Sequence, residues 1–310
     1  MKAIRYTLAA ALTVIAAASC QDTIAPEQTE NTVIFTATID NEDTKAVMGN
    51  ASTVDGKTHY PVYWSGTEKF SVFDTEGTNQ EFVGYANDNP QTSISIKGTG
   101  SFKEIEMTSG NEYYALYPYN GNNSFNADTK VMTFRGDKPH QQYVDADHQN
   151  MPKVKGGQSL MFFAGKTTNN NFSFTHALAY IKFNITSTGI YNVAVKNVNK
   201  VGGTAAPIAA STHMTLAYET DNTLKVTNGN KVIATLYAGN NTDVYNTYFD
   251  PGTYYIAVIP VDIKIELQIN ADSSGNNYNV LNTGKTTFSL KPGMILYIGD
   301  VSLPAAEAAE

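Results

Sequence analysis

The chain has 310 residues, 42% of them hydrophobic, a formal charge of −8 and a single cysteine. That length suffices for two domains of ordinary size. The acidic balance argues against a nucleic-acid partner, and one cysteine excludes an internal disulfide framework.

Met1-Lys2-Ala3-Ile4-Arg5 opens the chain, an apolar run from Leu8 to Ala18 follows, and Ser19-Cys20 closes it. The run is too short to span a bilayer and has the charged start and small-residue end of a signal peptide, residues 1–19. Cys20 sits where lipidation requires it, although Ala17 stands where a lipobox usually carries Leu. Cleavage would remove Lys2 and Arg5 and no acidic residue, lowering the formal charge to −10. Acyl chains on Cys20 would then be the membrane anchor.

Residues 20–31 hold Pro26 and little that could be buried, and read as a lipidated, flexible tether. Asp22-Thr23-Ile24 within it resembles a short O-glycosylation signal of exported bacterial proteins, which makes Thr23 a candidate for sugar. Alternation starts at Thr32, with Val33, Phe35, Ala37 and Ile39 on one face and mostly Thr on the other, the period of a half-buried strand. Residues Asn41 to Lys57 lose that period and read as a loop containing Lys45 and Ala46.

Further strands are predicted at Tyr60–Trp64, Lys69–Phe73, Ser93–Ile96, Tyr113–Tyr117, Phe172–Ile185, Asn192–Val195, Lys231–Tyr237, Tyr254–Ile259, Ile263–Ile269 and Met294–Leu303. Gly, Asn, Asp and Pro clusters separate them, and past the signal peptide no window carries a convincing 3.6-residue period. The expected class is all-β. Tyr113-Tyr114-Ala115-Leu116-Tyr117-Pro118 is echoed by Tyr254-Tyr255-Ile256-Ala257-Val258-Ile259-Pro260, which suggests two tandem β-sandwiches, residues 32–170 and 171–310. Tyr-rich strands ending at Pro would also arise without duplication.

Several segments together resemble the fimbrillin family of Bacteroidetes pilus subunits. They are the lipobox at Cys20, TVIFTATI followed by Asp43-Thr44-Lys45-Ala46, YPVYW leading to EKFSVF, YYALYPY, FTHALAYIKFNI around His176, and the terminal KPGMILYIGDVSL. The resemblance implies transthyretin-like sandwiches and assembly by strand exchange. A protease would cut between Lys45 and Ala46, Val33, Phe35, Ala37 and Ile39 would form the displaced strand, and Ile295, Tyr297, Val301 and Leu303 one row of a donor strand. The best-known members carry Arg at the cut, so Lys45 departs from the pattern and calls for a lysine-tolerant protease or for no cut at all.

Enzymatic motifs fail on inspection. There is no Gly-x-Ser-x-Gly elbow and no His-Glu-x-x-His, and the Gly-Lys-Thr triplets at Gly165 and Gly284 lack the first Gly of a phosphate loop. Asp145, Asp147 and His148 lie close in sequence but without a Gly-centred ligand loop, and read first as a solvated acidic loop. Asp272 to Asn276 reads as a hairpin turn. His176 is expected to pack within its strand. Arg135-Gly136-Asp137 spells an integrin-binding tripeptide, for which a Gly-centred turn is the simpler account. The 19 Tyr could stack on sugars, but such strands usually fill sandwich cores and edges.

The reading is a non-enzymatic pilus or adhesin subunit, exported as an outer-membrane lipoprotein precursor and displayed on a fimbrium, with no cofactor and no metal. Its partners would be other pilus subunits, a host or bacterial surface ligand, and the membrane through its lipid. A non-polymerising glycan-binding surface lipoprotein is the alternative.

Overall fold

The computed structural model describes residues between Ile34 and Leu303, leaving out 1–33, 40–46, 49–51, 55–56, 60–61, 65, 86–90, 100–109, 146–149, 156, 240–246, 272–276, 283–285 and 304–310. The side chains of 39, 47–63, 145 and 277–282 also lie outside the description.

The chain runs through β1 (Ile34–Ile39), the short β2 (Val47–Met48), β3 (Ser52–Val54), β4 (Lys57–His59) and β5 (Val62–Tyr63), then β6 (Lys69–Phe73), β7 (Asn79–Tyr85), β8 (Ser93–Gly98) and β9 (Tyr113–Tyr117). Next come β10 (Ser124–Asn126), β11 (Val131–Phe134), β12 (Gln141–Asp145), β13 (Met151–Lys153), β14 (Phe163–Thr167) and β15 (Asn171–His176). Then follow β16 (Ala179–Ile185), β17 (Asn192–Asn197), β18 (Lys200–Val201), β19 (Thr204–Ala205), β20 (Met214–Tyr218), β21 (Leu224–Val226) and β22 (Ile233–Tyr237). The last are β23 (Gly252–Val258), β24 (Asp262–Ile263), β25 (Ile265–Asn270), β26 (Asn277–Asn282), β27 (Phe288–Ser289) and β28 (Ile295–Val301). The protein is all-β, and the described residues include no helix.

Seven strands close into a barrel in the order β1-β15-β14-β9-β6-β7-β8. Closure leaves no free edge, which removes the usual liability of an exposed strand. Its interior is aromatic: Trp64 meets Phe70 edge-on at 5.0 Å and Tyr117 at 5.2 Å. The strand β7 escapes a sequence-level reading because its inward positions are Gln80, Phe82 and Gly84. A Cβ at Gly84 would meet Ile94 Cδ1 at 2.5 Å, so a larger residue there would oblige that side chain to turn aside.

A second core lies between two sheets. One has the order β13-β12-β22-β17-β25-β26, the other β23-β16-β28. Val193, Val195, Ala234, Leu236, Ile265, Leu267 and Ile269 from the first face Ala179, Ile181, Phe183, Ile185, Tyr254, Ile256 and Val258 from the second. Period-2 alternation puts Tyr180, Tyr255 and Ala257 on the opposite face of β16 and β23, and these belong to the barrel-side core. The small sheet therefore contributes to both cores.

The stretch expected as one strand over Phe172–Ile185 is two strands. It breaks at Ala177-Leu178, where Ala177 N–H donates to the Phe162 carbonyl at 3.1 Å. β15 stays in the barrel, and β16 starts the small sheet. β14 and β15 form an antiparallel hairpin with Gly165 opposite Phe174, so the chain leaves the barrel only after His176. The echoed segments form strands with different surroundings: β9 lies between β6 and β14, and β23 pairs with β16.

Candidate strand-exchange site

β1 owes its place to its alternation. Phe35 and Ala37 point inward and are fully buried, at 0% exposure, while Ile34, Thr36 and Thr38 are half-buried. Phe35 packs against Phe172 at 4.9 Å and Phe82 at 5.5 Å. On one edge β1 runs antiparallel to β8, with Phe35 opposite Ile96, Ala37 opposite Ile94 and Thr38 opposite Ser93. On the other it runs parallel to β15, with Ala37 opposite Phe172 and Ile39 opposite Phe174. The Thr38 and Ser93 hydroxyls lie 2.9 Å apart. Both edges are thus engaged, and removing β1 would open the barrel between β8 and β15. It would leave a slot with two unpaired backbone edges and an apolar floor, which one extended strand can satisfy.

β28 is held differently. It runs parallel to β16, with Tyr180 opposite Ile295 and Lys182 opposite Tyr297, and the register then slips so that Asn184 faces Asp300. The slip is a bulge at Gly299, whose φ is 97°. It divides the row expected to share one face. Leu296 and Ile298 pack on the second core, Ile295 packs on the barrel-side core, and Tyr297 is 51% exposed. Past the bulge Val301 turns into the second core at 2% exposure, and Leu303 packs against the same core. Ile295, Tyr297, Val301 and Leu303 therefore do not share a face here, because an inserted residue inverts the alternation.

Tyr297 is held mainly at its hydroxyl, with a cation over its ring. Asn184 Nδ2 donates to Tyr297 Oη at 2.7 Å and to Asp300 Oδ1 at 3.0 Å, and Lys182 Nζ stands 5.7 Å from the ring centre. Desolvation, followed by the bond to Asp300, raises the phenol's pKa. The far edge of the same sheet is closed by side chains. Gln142 Nε2 donates to the Ala257 carbonyl at 2.7 Å, its Oε1 accepts from Ala257 N–H at 2.9 Å, and Asn150 Nδ2 reaches the Thr253 carbonyl at 3.1 Å. Nothing in the sequence pattern singles out Gln142 or Asn150 for this role.

Cys20, Thr23, Val33, Lys45, Ala46, Asp147 and His148 lie outside the described residues, as do the side chains of Ile39 and Asp145. Among the described residues no three His, Cys, Asp or Glu are grouped to hold a metal, and no helix is long and apolar enough to cross a membrane. Arg135 and Asp137 are exposed beside a buried Gly136, at the end of β11 rather than on a projecting tip. Arg135 Nη1 lies 3.4 Å from His213 Nδ1, and the backbone of Asp137 pairs with that of Lys155 in an isolated antiparallel β-bridge. His176 is buried at the end of β15, its ring 3.8 Å from that of Phe163.

No protein-family model matches the chain, and no curated protein matches it. It is similar in structure to several Bacteroides proteins provisionally named as cell adhesion proteins. The one from Bacteroides uniformis is 14% identical, covering 88% of this chain and 95% of that one at a TM-score of 0.46. The one from Bacteroides ovatus is 14% identical, covering 84% and 92% at 0.44. The one from Bacteroides fragilis is 11% identical, covering 88% and 93% at 0.40.

Proposed function

We propose that the chain is a structural or adhesive subunit of a surface fimbria of the fimbrillin type, made as a lipoprotein anchored through Cys20 and assembled by strand exchange. The observation that carries this reading is the position of β1. It fills a barrel slot with two bonded edges, and Lys45 follows it by six residues in sequence. A cut between Lys45 and Ala46 would leave β1 held by non-covalent contacts alone, where a strand from another subunit can compete for the same hydrogen bonds and the same pockets. Burying a side chain the size of Phe35 is worth about 1.5–3 kcal/mol, which a strand of similar pattern regains in the slot, set against the burial that strand gives up in its own sheet, while subunits become linked into a chain. The competing strand on this reading is the C-terminal one, β28 with the residues that follow it. The role is non-catalytic and calls for no cofactor.

Sheared surface material tests it. N-terminal sequencing is expected to start at Ala46 in protein that migrates as a ladder on mild denaturing gels. A start at Cys20 in every band, with only monomer on the gel, would overturn strand exchange.

A further inference from the structure

Resting on that reading, we infer that β28 of a second copy enters the slot of β1 in one definite, ungapped register, with Tyr297 in the place of Phe35 and Gly299 in the place of Ala37. Five positions correspond in kind there, Val33 with Ile295, Ile34 with Leu296, Phe35 with Tyr297, Ala37 with Gly299 and Ile39 with Val301, while on the outward row Ile298 would replace Thr36. The decisive positions are the two whose slots the structure describes. Phe35 occupies an aromatic pocket beside Phe82 and Phe172, which a tyrosine ring fills. Ala37 is fully buried and lies opposite Ile94 and Phe172 on the neighbouring strands, so a residue as small as alanine or glycine fits there without overpacking. A shift by two residues would put Tyr297 or Val301 there.

β28 supports the register from its own side. In its resident sheet the row needed for the slot buries little at its centre: Tyr297 is half exposed and bonded only through its hydroxyl and to Lys182 over its ring, and among the described residues nothing lies within 4 Å of where a Cβ on Gly299 would stand. The resident sheet uses Leu296, Ile298 and Val301 instead. Taking up the slot requires the bulge at Gly299 to straighten, which restores Ile295, Tyr297, Gly299 and Val301 to one face. Asp300 then stands at Thr38, next to the Ser93 hydroxyl, a polar neighbour for a polar side chain.

Two full-chain variants, one carrying Ser93→Cys and the other Asp300→Cys, are mixed, processed, assembled and oxidised. The expected result is a disulfide between positions 93 and 300 of different subunits, mapped by mass spectrometry, because directly opposed strand residues bring their Cβ atoms close enough to bridge. Pairing Asp300→Cys with Ser95→Cys, which opposes Thr36, is expected to give no link. Tyr297→Asp is the companion variant: it gives up the hydroxyl's bonds to Asn184 and Asp300 at a half-exposed position and leaves the buried core intact, whereas a charge at buried Val301 would damage the core itself. Its monomer is expected to melt cooperatively, at a slightly lower temperature than the wild type, and to lose ladder formation by more than about tenfold, while Tyr297→Phe, which loses the same hydroxyl bonds, assembles normally. Ladders from Tyr297→Asp, or a link at 95 in place of 93, would overturn the register and leave strand exchange standing. Absence of ladders from wild-type chains would overturn strand exchange, and the register with it.

Discussion

His176 is a histidine without a histidine's usual work. It is buried at 1% exposure between barrel and small sheet, and neither ring nitrogen has a hydrogen-bond partner among the described residues. Phe163 lies against one side and Tyr180 edge-on at 6.0 Å. Desolvation pushes its pKa down to about 3. Above pH 6.5 the ring is neutral folded or unfolded and contributes no pH dependence. As pH falls below 6.5 the unfolded chain binds a proton that the folded one refuses until about 3, so stability declines by about 1.4 kcal/mol per pH unit across that window. His176→Leu should flatten the dependence of unfolding free energy on pH between 6 and 4, measured by denaturant titration against wild type. An unchanged slope would mean that the ring is reached by solvent. Trp64 Nε1 is likewise buried and unpaired, so the aromatic packing around it outweighs a polar penalty of about 1–3 kcal/mol.

Two conformations compete for one element at Gly299. In the resident sheet its φ of 97° favours glycine, and a side chain there is strained even though the space is open. In the slot of β1 the equivalent residue is Ala37, in an ordinary strand. Gly299→Ala should therefore destabilise the monomer by about 1–2 kcal/mol, read as a lower melting temperature, while assembly proceeds at least as fast as in the wild type. Slower assembly alongside the lower melting temperature would indicate that β28 keeps its bulge in the filament. The contrast with β23 is physical. Its outer edge is tied by Gln142 and Asn150, whereas β28 is tied on its inner side to β16 and at its end by Leu303 N–H to Ser187 Oγ at 3.0 Å.

Over the whole molecule, Gln142 joins layers that backbone pairing leaves separate. It sits on β12 of the six-stranded sheet and bonds both backbone groups of Ala257 on β23 of the small sheet, with a third bond from Nε2 to the Pro139 carbonyl at 3.1 Å. Gln142→Leu keeps the volume and strands a buried N–H and C=O, at a cost of about 2–4 kcal/mol. The expected signature is a lower melting temperature and faster hydrogen exchange at Ala257. Protection unchanged at Ala257 would show that the two sheets are held by apolar packing alone. Because β16 and β23 feed both cores, loosening this joint should reach the barrel as well as the second core.

Alternation is a local property of a pleated chain, so the strands whose inward residues are apolar were open to inspection. β6 and β9 have the limits predicted from their residues, and Phe35 and Ala37 of β1 point inward as their spacing required. Where an inward position is Gln80 or Gly84, composition hides the period, and β7 emerges only once its neighbours are in place. Partner choice is not local either. Parallel pairing of β1 with β15 and of β16 with β28 joins segments more than a hundred residues apart, and no short window records which edge will accept which strand. The same holds for the break at Ala177-Leu178, where an unbroken apolar run had to be divided between two cores. At Gly299 the residues offer one continuous face, and in the sheet that β28 joins a bulge inverts it and turns Val301 into the second core, since one inserted residue switches the side on which every later residue stands.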